Sequence, residues 1–367
     1  MKVGIMTFHT ALNYGAVLQT YALYRIIKEK GHEVRVIDYI APFNEKRFAP
    51  KSFSYFLNLR TIYNVLFRNG YEIYQGKGFK DFVINHIELT DPLYNEEQLR
   101  KQNNSFDTFI SGSDQVWNLA CTEGDEMYYL PFVLDDHKRN SYAASIGYNK
   151  IPESDVDKYA TLMKGFNHIS VREASGLDIV KALTGRDAEL VLDPTLLINK
   201  EKWSQIADYS RAANRKNYLL LYLMSEDKTL IKKAKKYAKD NNLEVVYITQ
   251  RLFKLNGADN LRNITPEQWI GLFLKASVVA TNSYHGLLFS INFNKPFITR
   301  YIPRSIANSR METILDVLDL HSRRIDSQIC TLETKIDYGK VNEKLQTLRE
   351  KSLGFLDKIL NNGEQVN

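Results

Sequence analysis

Residues 2–38 read KVGIMTFHTALNYGAVLQTYALYRIIKEKGHEVRVID, and this stretch decides the fold class. A β-rich run from Lys2 to Phe8 is followed by a polar turn, by apolar residues at helical spacing, and by a second β-rich run after Gly31. A strand, a helix and a strand in this order predict a βαβ unit, which builds a parallel sheet. Ligands bind at the carboxyl ends of such strands, so we expect a site at the turn from Phe8 to Gly15.

The same alternation of strands and helices continues along the chain, and the length predicts two domains. The chain has 367 residues, of which 44% are hydrophobic and 25% charged, as in ordinary globular proteins. Asp193-Pro194 interrupts the pattern, because proline disfavours helix at the residue before it. We therefore predict an α/β protein with a cleft between two domains. The N-terminal domain spans 1–194 with an inserted segment at 41–75, the C-terminal domain spans 195–335, and a helix in 336–367 packs back on the N-terminal domain.

Composition also excludes several classes of function. The apolar stretches are far shorter than the roughly 20 residues that span a bilayer, and the first 15 residues are too polar for a signal peptide, so we expect a cytoplasmic protein. The net charge of +6 permits an anionic partner, but no nucleic-acid-binding motif occurs. The spacing of Cys121 and Cys330 suits neither a disulfide framework nor a metal site, so we expect no metal and two buried cysteines.

Two polar clusters follow predicted strands in the N-terminal domain. The first, Asn13 to Gln19, leads into a helix whose free amides can bind an anion, and Gly15 permits close approach of a backbone. The second, Ser111 to Asn118, combines small, carboxylate, amide and indole side chains, a set typical of carbohydrate binding. An ordinary helix cap by Asn13 and a turn with a core Trp117 are the alternatives. The candidate site residues from these clusters are Asn13, Gly15, Gln19, Ser113, Asp114, Gln115 and Trp117.

Two further clusters supply a cation and a titratable side chain. Arg172 ends a predicted strand, where its guanidinium can bind a carboxylate or a phosphate, unless it pairs with Glu173 or Asp193. His285 lies in a turn between a strand and a helix, and histidine can act as an acid or a base near neutral pH; a structural histidine is the alternative. The candidates from this part of the chain are Arg172, Glu173, Asn282, Ser283, His285, Gly286, Lys295 and Arg310.

In order along the chain, the motifs N-x-G-A-x-L-Q, G-S-D-Q-V-W, S-V-R-E and N-S-x-H-G resemble the polysaccharide pyruvyl transferase family, as do Asp193-Pro194 and the NKPF segment at 294–297. The resemblance implies a GT-B-like fold, in which two Rossmann-like domains face a cleft. It also implies an enzyme that transfers pyruvate from phosphoenolpyruvate to two hydroxyls of one sugar in a surface or exopolysaccharide precursor, giving a pyruvate ketal and phosphate. Phosphoenolpyruvate would be the donor substrate, with no cofactor.

The resemblance assigns donor handling to Arg172 and His285. It also implies a further cation after the histidine motif, for which Lys295, Arg304 and Arg310 are rivals; we favour Lys295 and Arg310. We expect His285 to transfer a proton and Arg172 to hold the carboxylate or phosphate of the donor.

Asp114 or Glu173 is expected to orient or deprotonate the sugar hydroxyl. Two alternatives stay open: a glycosyltransferase that uses a nucleotide sugar on the same fold, and a non-catalytic glycan-binding protein.

The acceptor implied by the resemblance is a sugar or a lipid-linked oligosaccharide, which would bring the protein to the inner face of the plasma membrane. Residues 41–75 interleave aromatic with basic side chains, which suits either a satellite core or a contact with acceptor or membrane. A predicted helix at 228–240 carries five lysines between 232 and 239, for which a solvated face is the simpler interpretation. The sequence predicts no oligomeric state.

Overall fold

The computed structural model has an α/β architecture with two parallel sheets. Most of the inserted segment predicted at 41–75, and Arg304, lie outside the described residues. The structure describes residues 1–42, 70–250, 254–303, 305, 308–328, 330 and 334–361. Within these ranges, the side chains of residues 70–75 are not described.

The sheet of the N-terminal domain is formed by β1 (Lys2–Met6), β2 (Glu33–Val36), β3 (Thr108–Ser111), β4 (Arg139–Ser141), β5 (Ser170–Val171) and β6 (Glu189–Leu190). Its order is β2-β1-β3-β4, with every pair parallel, and the parallel pair β5-β6 continues it through bridges between residues 140 and 168 and between 144 and 171. After β2 the chain returns to the other side of β1, so the strand order reverses there.

The sheet of the C-terminal domain is formed by β7 (Tyr218–Tyr222), β8 (Glu244–Ile248), β9 (Asp259–Leu261), β10 (Val278–Thr281) and β11 (Phe297–Thr299). All pairs are parallel, and the order β9-β8-β7-β10-β11 is that of a doubly wound fold, with its reversal between β7 and β10. All five residues of β7 are buried, because helices cover both faces of such a sheet. The two sheets confirm the predicted fold class of two Rossmann-like domains.

Twelve helices occur in the described residues, and none of these is long and apolar enough to cross a membrane. One of them begins with a capping box, the arrangement that Thr265 followed by Gln268 three positions later favours, in which the two residues exchange side-chain and backbone hydrogen bonds. The helices are α1 (Tyr14–Glu29), α2 (Gly70–His86), α3 (Glu96–Arg100), α4 (Val156–Met163), α5 (Ala174–Thr184), α6 (Pro194–Leu197), α7 (Lys200–Gln205), α8 (Lys228–Asp240), α9 (Pro266–Lys275), α10 (Tyr284–Asn292), α11 (Ser309–Val317) and α12 (Tyr338–Asn361).

The N-terminal domain is in contact with later parts of the chain at two places. At one of them, Tyr14 of α1 stacks on Trp269 of α9 with ring centroids 5.6 Å apart. At the other, α12 packs against the N-terminal domain, where the Ser352 hydroxyl accepts a hydrogen bond from the Leu192 amide at 2.9 Å. The ring of Phe355 on the same helix also lies against the N-terminal domain, inside the core. These contacts hold the edges of the two sheets at a defined separation.

Candidate active site

The carboxyl ends of the middle strands of both sheets open on one cavity of about 330 Å³, which we call the central cavity. It lies beside β1 and β7, where each sheet reverses its strand order and where open α/β sheets bind ligands. Both domains contribute to its wall. The predicted site residues that line the central cavity are Asn13, Asp114, Gln115, Asn282, Ser283, His285 and Arg310.

Two helices point their N-termini into the central cavity from opposite domains. Asn13 caps α1 by accepting a hydrogen bond from the Ala16 amide, and Ser283 caps α10 by accepting one from the Gly286 amide. The other amides of a first helical turn have no partner inside the helix, and the positive end of the helix dipole lies there. The two helix ends together therefore favour a negatively charged ligand.

Gly15 is the point at which the two domains come closest in the site. A Cβ built on Gly15 would lie 1.9 Å from Nδ1 of His285 and 2.3 Å from its Cγ, far inside van der Waals contact. The imidazole of His285, which is 7% exposed, therefore lies directly against the first turn of α1. Any side chain larger than hydrogen at position 15 would displace it.

Behind the cavity, the buried carboxylate of Asp193 joins residues of both domains. Its Oδ2 accepts hydrogen bonds from Ser113 Oγ at 2.9 Å and from Arg172 Nη1 at 2.6 Å. Its Oδ1 caps α6 by accepting from the amide and the hydroxyl of Thr195. Nε2 of His285 lies 3.5 Å from Asp193 Oδ2 without hydrogen-bond geometry, so this contact is electrostatic.

Arg172 bridges two buried carboxylates, because its Nη2 also donates to Asp114 Oδ1 at 2.9 Å. Burial alone would raise the pKa of both carboxyls, but the charge of Arg172 holds the pKa of Asp114 below the usual range. Contact with His285, followed by the charge of Arg172, does the same for the pKa of Asp193. Burial would lower the pKa of Arg172, and the two carboxylates raise it instead. All three groups are therefore ionised at neutral pH.

Tyr284 separates two buried guanidinium groups. Its ring centroid lies 4.8 Å from Cζ of Arg172 and 5.3 Å from Cζ of Arg310. Arg310 and Tyr284 line the central cavity, whereas Arg172 does not. Burial, followed by repulsion from Arg172, lowers the pKa of Arg310. An anion in the cavity would relieve this unfavourable charge, so among the described residues Arg310 is the arginine or lysine of this site that a ligand can reach.

Two of the predicted binding residues lie in the interior. Trp117 is completely buried and stacks on Tyr129 with centroids 5.4 Å apart, so it has no face for a sugar. This corrects the prediction that Trp117 binds carbohydrate, and the alternative of a core tryptophan describes it. Gln19 is also buried, and its Nε2 donates to Thr7 Oγ1 and to the Ala16 carbonyl inside the N-terminal domain.

Two further predicted site residues, Glu173 and Lys295, do not line the central cavity. Glu173 is completely buried, and its Oε1 accepts hydrogen bonds from the Ser145 hydroxyl and from the next two backbone amides, so it shapes that loop instead of contacting a ligand. Lys295 follows the C-terminal end of α10, opposite the end that faces the cavity, and its Nζ donates to the Leu274 carbonyl at 2.6 Å. Burial and two neighbouring lysines lower the pKa of Lys295 to about 8.

Three features of the site were not recognised from the sequence. Asp193 was considered as an ion-pair partner of Arg172 but not as the centre of the network. Tyr284 is the unspecified position of the N-S-x-H-G motif, so the motif gave no reason to expect a role for it; its contacts with Arg172 and Arg310 are seen only in the structure. Cys121 lines the central cavity and is exposed, and Cys330 is half-buried, which corrects the expectation that both cysteines are buried.

The contact between Gly15 and His285 predicts the effect of a single methyl group. Gly15→Ala should displace the imidazole while the domains stay folded, because the clash is with a side chain at the cavity wall. The ring nitrogens of His285 in a long-range ¹H–¹⁵N NMR spectrum would report the displacement. Gly354→Ala is the matched control, because nothing lies within 4 Å of its new Cβ. Unchanged His285 resonances in Gly15→Ala would contradict the close contact.

The lowered pKa of Asp114 predicts a dependence of stability on pH. A carboxyl with a lower pKa in the folded than in the unfolded chain stabilises the fold above about pH 4, and this contribution is lost as the pH falls. Asp114→Asn removes it, and asparagine tolerates the backbone φ of 78° at this position. We expect the variant to be less stable than wild type at pH 7 and the difference to shrink below about pH 4. Urea unfolding between pH 2 and 7 would show this; a constant difference would contradict it.

Comparisons with known proteins identify the family of the chain. No curated protein matches the sequence. Similar solved structures include the UDP-GlcNAc 2-epimerase from Methanocaldococcus jannaschii, with 10% identity over 94% of this chain and 92% of that chain and a TM-score of 0.49. Another is the ADP-heptose lps heptosyltransferase II from E. coli, with 11% identity over 96% and 99% and a TM-score of 0.40. The polysaccharide pyruvyl transferase family model matches residues 13–301, most of the chain. The chain therefore belongs to the polysaccharide pyruvyl transferase family.

Proposed function

We propose that the protein transfers pyruvate from phosphoenolpyruvate to two hydroxyls of one sugar, forming a pyruvate ketal in a surface or exopolysaccharide precursor. The observation that carries the proposal is the central cavity, where Arg310, His285 and two helix N-termini converge in a member of the polysaccharide pyruvyl transferase family. Membership supports a transferase, and the charge of the cavity supports an anionic donor.

The donor carries a carboxylate and a phosphate, and the cavity offers positive charge from two directions. Arg310 lies on α11, and the first turns of α1 and α10 add backbone amides. Arg172 was expected to hold the donor directly, but both of its Nη atoms are engaged by Asp114 and Asp193. We assign Arg172 a supporting role: it fixes those carboxylates and, through the Tyr284 ring, the position of Arg310.

The reaction needs one proton at C3 of the donor and one sugar hydroxyl at C2. In the first step, C3 becomes a methyl group while the oxygen of the first sugar hydroxyl bonds to C2 and loses its proton. In the second step, the C2–O bond to phosphate breaks, and the oxygen of the second hydroxyl bonds to C2 and loses its proton, which completes the ketal. The two hydroxyl protons balance the one gained at C3 and the one that leaves with phosphate. In this scheme His285 delivers the proton to C3.

Asp114 accepts a hydrogen bond from the attacking hydroxyl and thereby orients it. Its lowered pKa makes it a weak base, so orientation suits this carboxylate better than deprotonation. Glu173, the other residue considered for this role, is enclosed by the loop after Ser145. The acceptor would be a sugar or a lipid-linked oligosaccharide, handled by a cytoplasmic protein with peripheral contact to the membrane. The scheme uses no cofactor besides the donor substrate.

Calorimetry with phosphoenolpyruvate tests the donor. Arg310→Gln should weaken binding at least about tenfold, because a hydrogen bond to a charged group is worth about 1.5–3 kcal/mol. Arg324→Gln is the matched control: Arg324 also lies over a tyrosine ring, that of Tyr301, but does not line the central cavity. Binding of UDP-galactose without binding of phosphoenolpyruvate would contradict the proposal and favour a glycosyltransferase.

Replacing the proposed acid separates binding from chemistry. His285→Gln should lower the rate of phosphate release by about 10²- to 10⁴-fold, the usual value of general acid catalysis, while the affinity for phosphoenolpyruvate changes little. Phosphate release would be measured with lipid-linked oligosaccharides extracted from the source cells as acceptor. Nearly full turnover of the variant at saturating donor would refute the role of His285.

A further inference from the structure

A second cavity of about 400 Å³, which we call the side cavity, opens on the N-terminal domain and has no role in the scheme above. One wall follows β2, another precedes and begins α3, and the third is the loop after β3. Its size lies within the range of 300–1,000 Å³ typical of small-molecule sites. The residues that define it are Tyr39, Tyr94, Asn95, Glu96, Glu123 and Asp125.

The side cavity adjoins the central cavity. In the loop after β3, Asp114, Gln115 and Cys121 line the central cavity, and five later residues line the side cavity: Thr122, Glu123, Gly124, Asp125 and Met127. β1 and β2 are neighbours in the sheet, so both cavities lie along the same edge of the N-terminal domain. A ligand that occupies both cavities would cross the chain at the exposed Cys121.

The side chains of the side cavity combine an aromatic surface with hydrogen-bonding groups. Tyr94 is 50% exposed, so half of its surface is available for contact with a ligand. Asn95 uses its Oδ1 to cap α3, which leaves the two Nδ2 hydrogens as donors. Asp125 is fixed by the Tyr39 hydroxyl at 2.9 Å and by the Met127 amide. Carboxylates and an amide beside an aromatic ring suit a polyhydroxylated ligand.

The two cavities differ in charge. Arg310 and two helix ends make the central cavity attractive to anions, whereas Glu123 and Asp125 line the side cavity with no lysine or arginine among its lining residues in the described part of the chain. The third carboxylate of the side cavity, Glu96, is paired with Arg100 at 2.6 Å, so the negative charge comes mainly from Glu123 and Asp125. Like charges repel most strongly where water is partly excluded. The side cavity therefore disfavours phosphoenolpyruvate and acidic sugars, and it accommodates a neutral sugar.

We propose that the side cavity binds an uncharged sugar of the acceptor glycan, next to the sugar that is modified in the central cavity. The inference rests on the proposed function for the identity of the acceptor, but the binding itself depends only on the side cavity. Tyr94 packs against the apolar face of the sugar ring, and Asn95 and Glu123 hydrogen-bond to its hydroxyls.

Saturation-transfer difference NMR on the full chain tests this with four neutral probes, maltotriose, cellotriose, N-acetylchitotriose and β-1,4-galactotriose, and with trigalacturonic acid as the acidic counterpart. We expect at least one neutral trisaccharide to bind and trigalacturonic acid to bind more weakly. Tyr94→Ala should lower the affinity for the neutral trisaccharide at least about fivefold, since aromatic contacts are worth about 1 kcal/mol. Glu123→Gln, which keeps shape but removes charge, should reduce the discrimination against trigalacturonic acid.

The controls separate this inference from the proposed donor. Leu134→Ala removes a 70% exposed apolar side chain away from both cavities and should leave glycan binding unchanged. Phosphoenolpyruvate affinity should be unaffected by Tyr94→Ala. Retained glycan binding with no binding of phosphoenolpyruvate would support the side cavity and overturn the donor. Absence of binding by every neutral probe, binding insensitive to Tyr94→Ala, or preference for trigalacturonic acid would overturn the side-cavity proposal.

Discussion

The site depends on one buried ionic contact, that of Arg172 with the Asp193 carboxylate at 2.6 Å. Neither side chain is exposed, and a charge out of water is tolerated only when its partners are held in place. Ser113 after β3 donates a hydrogen bond to the same carboxylate, and His285 on α10 lies 3.5 Å from it. The ends of strands from both sheets thus have fixed positions relative to one another, and the central cavity is the space that this arrangement leaves open.

The same network determines which groups can meet a ligand. Because Arg172 is engaged by two carboxylates, the positive charge that the described residues present to the cavity comes from Arg310 and from the helix ends. Tyr284 keeps the two guanidinium groups apart while contacting both. Gly15 allows His285 to lie against α1, so the imidazole and the anion-binding amides are side by side. These are the groups that the proposed pyruvyl transfer would use.

Much of the local structure was predictable because it depends on neighbouring residues. The helix at Lys228–Asp240 has the predicted bounds, and the capping box at Thr265 follows from side chains three positions apart. The predictions for Trp117 and Glu173 failed at the site for a different reason. Both follow strand ends that lead to the site, but long-range contacts hold their side chains in the interior, Trp117 against Tyr129 and Glu173 on the loop after Ser145.

The sequence by itself determined the order of strands and helices, the α/β class, and the strand ends at which ligands bind, since these follow from periodicity, caps and chain order. It also placed His285 and Arg310 among the candidates. Three outcomes follow from the folded arrangement alone: Arg310 lines the cavity, Arg172 contacts Tyr284 without lining the cavity, and Lys295 is bonded to Leu274 away from it. Each of these outcomes depends on contacts between residues more than 20 positions apart, for which local sequence carries no signal.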